Sequence, residues 1–173
     1  MTDDIIIPPN TKAIPLSKGK YAIVDDEDYE ELNKYKWTYH KNGYAHRCEY
    51  LGRKDKKPIH KIILMHRLVM GTPKGMHTDH INGNKLDNRR CNLRICTTIQ
   101  NQHNQKITDR KGTSKYKGVS WNKGMNKWIA TIVVDKKQLR LGYYISEEDA
   151  AEVYNQAAKK YFGEFAKINL LKG

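Results

Sequence analysis

Between residues 79 and 101 the chain reads Asp79-His80-Ile81-Asn82-Gly83-Asn84, then Asp87-Asn88, then Asn92-Leu93-Arg94, then Asn101. Two carboxylates, one imidazole and several carboxamides stand at these spacings, and among them are the parts needed to hydrolyse a phosphodiester. That reaction needs a nucleophilic water, charge relief at the scissile phosphate and help for the leaving oxygen. A divalent ion supplies the second and third. Asp79 offers a carboxylate oxygen and Asn101 a neutral carbonyl oxygen. Such hard donors suit one Mg²⁺ or Mn²⁺ and leave room for phosphate oxygens and water. An imidazole that titrates near neutrality is the natural base for the water, and His80 is the candidate. Adjacent residues of a strand point to opposite faces, so Asp79 and His80 share a site only if the strand ends or distorts there. Among the other histidines, His77 is at best a neighbour of the ligands. His66 reads as a core or phosphate-contacting residue, and His103 as facing solvent or DNA. The residue pattern favours Asn92 as a brace for the loop.

These side chains need a frame. Residues 76–107 read as strand, long loop, strand and helix, with Thr97 and Gln100 forming a capping box for the helix. Upstream, residues 1–15 hold three Pro and little periodicity, which predicts an arm. Tyr21–Val24 reads as a strand. Asp25–Tyr35 reads as a helix, with acids in its first turn and Tyr29, Leu32 and Tyr35 at helical spacing. Trp37–Tyr50 reads as a β-hairpin around a type I′ turn at Asn42-Gly43. Residues 53–57 read as a solvated basic loop, and Ile59–Met70 as a strand leading into a short helix that carries His66 and Arg67. Residues 106–113 read as a basic linker. Beyond it, Lys117–Trp121, Lys127–Val134 and Gln138–Tyr144 read as three strands, followed by a helix that Ser146 and Asp149 open and Gly163 closes.

Two resemblances follow from these residues. Asp79, His80, Asp87-Asn88, Asn92-Leu93-Arg94 and Asn101, with His66-Arg67-Leu68-Val69 upstream, resemble the HNH nuclease motif of the phage and intron-encoded branch, in the variant whose final His is Asn. The resemblance covers roughly residues 15–105. It implies a ββα-metal core, Asp79 and Asn101 as metal ligands, His80 as general base and Asn92 as the residue that orients it. It also implies DNA contacts from Arg67 and Arg94, and products with 5′-phosphate and 3′-hydroxyl ends. Residues 114–171 resemble the APETALA2-type DNA-binding domain, through Tyr116-Lys117-Gly118-Val119, Trp128–Ile132, Leu141–Tyr144, the Ala-rich helix and Asn169. That likeness implies a sheet entering the major groove, with Lys117, Ser120, Asn122, Lys127, Thr131, Val133, Gln138, Arg140 and Tyr143 toward DNA. Most of these positions are Arg or Trp in the plant pattern. Here only Arg140 keeps the guanidinium, so the plant target sequence does not carry over.

The bulk properties agree with a polyanionic partner. The 173 residues carry a formal charge of +13 with a pI of about 9.6. Residues 1–36 hold five Lys against eight acids, so the basic charge is concentrated downstream. No long apolar run suggests a membrane span, and the first residues lack the basic n-region of a signal peptide. Cys48, Cys91 and Cys96 show no framework spacing and read as reduced thiols of a cytoplasmic protein.

The expectation is an α+β protein with an HNH domain over 1–105, a linker over 106–113 and a DNA-binding sheet domain over 114–173. Its expected function is that of a site-specific, divalent-metal-dependent DNA endonuclease of the homing type. Its expected partner is double-stranded DNA, with no membrane and no small-molecule cofactor; monomer and dimer stay open. The competing class is a DNA-binding regulator that keeps a silent nuclease fold.

Overall fold

The computed structural model describes residues 8–104 and 113–171. The chain divides into two units, Met1–Thr98 and Ile99–Gly173. Small antiparallel sheets and few helices give the α+β class that the sequence suggests.

The first unit opens with the hairpin β1 (Thr11–Pro15) and β2 (Tyr21–Asp25). The arm expected over residues 1–15 is therefore a strand from Thr11 onward, while residues 1–7 lie outside the described residues. Pro15 concealed it. At the end of an edge strand the missing N–H costs nothing, so Pro is tolerated there. Ile14, Ala22 and Val24 enter the core beside Leu32, Trp37, Ala45, Met65, Val69 and Leu93. Helix α1 (Asp26–Asn33) begins with three acids that complement its N-terminal dipole, and Trp37 Nε1 donates to the Leu32 carbonyl at 2.8 Å to close its end.

A second sheet holds β3 (Thr38–Tyr39), β4 (Ala45–Lys54) and β5 (Lys57–Leu64). The β3–β4 turn is not type I′. Gly43 N donates to the His40 carbonyl, and of the turn residues only Gly43 has positive φ, at 90°. This is a type I turn followed by a left-handed Gly, which needs one permissive residue rather than two. The expected basic loop at 53–57 is instead a tight hairpin tip. Asp55 and Lys56 adopt φ of 49° and 63°, and Arg53 and Lys54 pair with Pro58 and Lys57. Helix α2 (Met65–Val69) follows β5 directly and buries Met65, His66 and Val69. Next come β6 (His77–His80) and β7 (Leu93–Cys96), paired antiparallel.

Helix α3 (Thr98–His103) begins at the last residue of the first unit. The linker expected over 106–113 lies, except for Thr113, outside the described residues. In the second unit β8 (Val119–Asn122), β9 (Lys127–Val134) and β10 (Lys137–Tyr144) form an antiparallel sheet with β9 central. Helix α4 (Glu147–Phe162) packs on it. Ser146 accepts from Asp149 N, and Gly163 at φ 54° ends the helix. Ala150, Ala151 and Ala158 are fully buried, which brings the helix backbone close to Ala130 and Ile132. Gly118 is held by its position: a Cβ there would lie 2.1 Å from the Tyr154 ring. The tail returns to the start of the unit. Asn155 and Asn169 exchange two hydrogen bonds of 3.0 and 2.7 Å, and the Asn169 side chain bonds both the N–H and the carbonyl of Lys117.

Among the described residues no helix is long and apolar enough to cross a membrane. Cys48 and Cys91 are exposed thiols and Cys96 is a buried one.

Candidate functional site

Strand β6 delivers Asp79 and His80 as its last two residues. Thr78, Asp79 and His80 are all buried, so both faces of this short strand are covered. The β6–β7 register sets Asp79 opposite Arg94 and His80 opposite Leu93. Arg94 Nε and Nη2 both reach Asp79 Oδ2, at 3.0 and 2.8 Å. Arg94, expected to contact DNA, thus sits in a buried ion pair with the expected metal ligand.

His80 ends the strand, as a shared site with Asp79 demands, and the chain turns at once. Gly83 N donates to the His80 carbonyl at 2.8 Å, with Gly83 at φ 77°. The imidazole Nε2 lies 3.3 Å from Asn88 Oδ1. The His66 ring stands edge-on at 5.0 Å, and Tyr44 lies 5.9 Å away. Burial pushes the His80 imidazole below its ordinary pKa, while the Asn88 bond and the charges of Asp79 and Asp87 act in the other direction. The same burial, with His80 and Arg67 adding to it, takes His66 down to about 3.

The loop between β6 and β7 braces itself. Asn82 Oδ1 accepts from Asn84 N, and Asn84 Oδ1 from Leu86 N, so carboxamides stand in for backbone turns. Asn92 spans the loop: its Oδ1 accepts from Asn82 N at 3.0 Å and its Nδ2 donates to the Asp87 carbonyl at 2.8 Å. That is the bracing arrangement the residue pattern favours. Asp87 takes two bonds of 2.7 Å from Arg89 and one of 2.9 Å from Asn82. Burial raises its carboxyl, but the Arg89 hydrogen bonds and charge outweigh that and leave it below the usual carboxylate range. Strand β2 docks on the loop, since Ile23 N donates to the Leu86 carbonyl and Asn88 N to the Ile23 carbonyl.

The remaining expected residues are distributed as follows. Arg67 donates to the Met76, Thr72 and Pro73 carbonyls and so pins the turn before β6. His77 Nε2 pairs with Thr98 Oγ1 at 3.1 Å. Asn101 lies on α3 in the second unit and is half-buried. His103 stacks on Phe162 at 3.8 Å.

On the three-stranded sheet, register groups the expected DNA-facing positions. Ser120 pairs with Ile129, Asn122 with Lys127, Arg140 with Thr131 and Gln138 with Val133. By strand alternation these lie opposite the Ala130 and Ile132 face that meets α4. A bulge between Arg140 and Gly142 lets Tyr143, three residues on, rejoin that face, with the Arg140 guanidinium 5.5 Å from its ring. Lys117 is different. It precedes the strands, is half-buried, and donates to the His103 carbonyl at 2.7 Å.

The sequence pattern placed Asn88 in the motif without a role beside His80, and it did not single out Tyr44. Each reaches His80 from another segment, and no local spacing announces such contacts.

The model of the HNH endonuclease family matches residues 63–103, the stretch that carries α2, β6, β7 and α3. An HNH endonuclease of Acanthamoeba polyphaga mimivirus is 33% identical over 172 residues, covering 97% of this chain and 86% of that protein. Protein 3.8 of Escherichia phage T7 is 35% identical over 96 residues, covering 56% of this chain and 78% of that protein. An ethylene-responsive transcription factor of Arabidopsis thaliana is 41% identical over 61 residues, which is 34% of this chain and 14% of the plant protein. The chain belongs to the HNH endonuclease family. It is a nuclease, and the family's substrate is DNA.

Proposed function

We propose that the protein is a site-specific, divalent-metal-dependent DNA endonuclease of the homing type. The observation that supports this best is the consecutive buried pair Asp79 and His80, 6% and 4% exposed, at the end of a strand whose following loop is fully braced. Burial and bracing hold a catalytic pair in place before substrate arrives.

The donor set fits a hard cation. Asp79 offers a carboxylate, Arg94 orients it through Oδ2, and Asn101 adds a carboxamide oxygen on the strength of the sequence motif. When bound, a divalent ion relieves charge at the scissile phosphate and at the leaving oxygen. His80 takes the proton of the attacking water, and the phosphodiester opens to 5′-phosphate and 3′-hydroxyl ends. The likeness of the second unit to a plant transcription factor, and the polar outer face of its sheet, support that unit as the reader of DNA sequence.

Cleavage of a randomised DNA library, with EDTA and then added Mg²⁺ or Mn²⁺, tests the reading. EDTA is expected to stop cutting and either ion to restore it. His80→Ala is expected to lose about 10²–10⁴-fold with DNA affinity retained. Binding without cleavage under any metal would leave a silent regulator instead.

A further inference from the structure

We propose that Gln138 and Val133 together read one A·T base pair, Gln138 taking the adenine and Val133 the methyl group of its thymine partner, no more than two base pairs from a guanine engaged by Arg140. This rests on the reading of the second unit as the part that recognises DNA sequence.

The antiparallel ladder of β9 and β10 sets Gln138 opposite Val133 and Arg140 opposite Thr131. By strand alternation all four project from the face turned away from α4. Gln138 and Arg140 are exposed. The Gln138 carboxamide finds no hydrogen-bond partner among the described residues. The Tyr143 ring, 5.5 Å from the Arg140 guanidinium, keeps that group over the same face. Val133 departs from the polar pattern. It is an apolar side chain left 55% exposed, whereas Ile129, further back on the same face of β9, is half-buried.

Each side chain matches one feature of a major-groove edge. A carboxamide pairs with adenine N6 and N7, a guanidinium fork with guanine O6 and N7, and an apolar group meets the thymine methyl. The adenine groups and the thymine methyl lie side by side on one A·T pair. Residues directly opposite on a sheet hold their Cβ atoms about 5 Å apart, so Gln138 and Val133 can reach the two halves of a single pair. Three strands span about 10 Å and the major groove is about 12 Å wide, so strands as long as β9 and β10 run along the groove and not across it. Gln138 and Arg140 then stand about 7 Å apart along β10, which is at most two base-pair steps of about 3.4 Å each.

Selection of duplexes from a randomised library by the full chain in EDTA, where binding is read without cutting, gives the preferred site. The expected site holds an A·T pair within two base pairs of a G·C pair. Gln138→Ala is expected to relax the choice of the first pair and Arg140→Ala that of the second. Replacing the thymine by deoxyuridine removes only the methyl group and is expected to weaken binding about four-fold, the worth of one buried methyl. Val133→Ala is expected to bind the thymine and uracil duplexes alike. Equal wild-type affinity for the two duplexes overturns the proposal. So does a Val133→Ala variant that still prefers thymine, which is what a purely structural Val133 would give. A full chain that selects no sequence ends the reading of the second unit and this proposal with it. A site whose G·C pair answers to Arg140→Ala, but in which no thymine answers to loss of its methyl, ends the proposal alone.

Discussion

Arg94 and Asp79 face each other across two short strands, and both guanidinium nitrogens that reach the carboxylate land on the same oxygen, Oδ2. The pair is buried, at 10% and 7% side-chain exposure. Removing one partner of a buried pair strands the other charge and costs about 3–5 kcal/mol, whereas removing both costs far less. Arg94→Met is therefore expected to destabilise strongly, and the double variant with Asp79→Asn to regain most of the loss. Urea denaturation of the single and double variants measures this. A loss in the double variant equal to the sum of the losses in Arg94→Met and Asp79→Asn alone would show that the two residues are not coupled.

Asn92 gives a second expectation. Asn92→Leu keeps the volume but leaves Asn82 N–H and the Asp87 carbonyl unmet inside the loop. Each orphaned group costs on the order of 1–3 kcal/mol. Asn92→Asp keeps the acceptor but sets a carboxylate oxygen against the Asp87 carbonyl where the donor was, so it is expected to lose stability as well. A wild-type melting temperature for either variant would contradict the bonds described.

The buried His66 ring makes stability depend on pH. Its pKa falls from 6.5 to about 3, so the folded protein holds it neutral. The unfolded chain takes up the proton below about pH 6.5. The unfolded state thus binds more protons between these values, and folding stability drops as pH falls through that window. Above it, His66 has no effect on the slope. His80, Arg67 and Tyr44 surround the ring and remain in a His66→Phe variant. That variant is expected to show a shallower loss of Tm between neutral pH and pH 4; parallel curves would remove His66 from the titration.

On the sheet, Arg140 carries the fork that can engage guanine in two places. Arg140→Ala should cost about 1–3 kcal/mol at one base pair and relax preference there, while Lys127→Ala should weaken all sequences and flatten the salt slope by about one unit. Lys117→Ala should behave differently. Burial, with Lys167 nearby, takes its amine down to about 8, and Nζ donates a hydrogen bond to the His103 carbonyl. The expected effect is lost stability with an unchanged salt slope. Affinities at several salt concentrations separate the three.

Local pattern carried much of this fold. The caps of α4 are side-chain chemistry within four residues, and the two faces of β9 follow from simple alternation, so both were readable. The same holds for β6, β7 and α3, whose turn residues and spacing lie within one continuous stretch. What local pattern could not show was set by register or by distant segments. The pairing of Arg94 with Asp79 depends on which residues of β6 and β7 stand opposite, and a shift of one residue would abolish it. Asn88 reaches His80 because β2, some sixty residues earlier, fixes its backbone. Asp55 and Lys56 turn a hairpin without any Gly, and Pro15 sits on an edge strand, so the usual punctuation misled in both places.

The Asn155–Asn169–Lys117 tie has a consequence for biosynthesis. The backbone of Lys117, just ahead of Gly118 and β8, is secured by a side chain 52 residues later. A ribosome that has already produced all three strands and the whole of α4 has still not exposed that fastening. Folding of the sheet unit during translation is therefore expected to stay incomplete until Asn169 clears the exit tunnel, with the closure of a long loop as a late step.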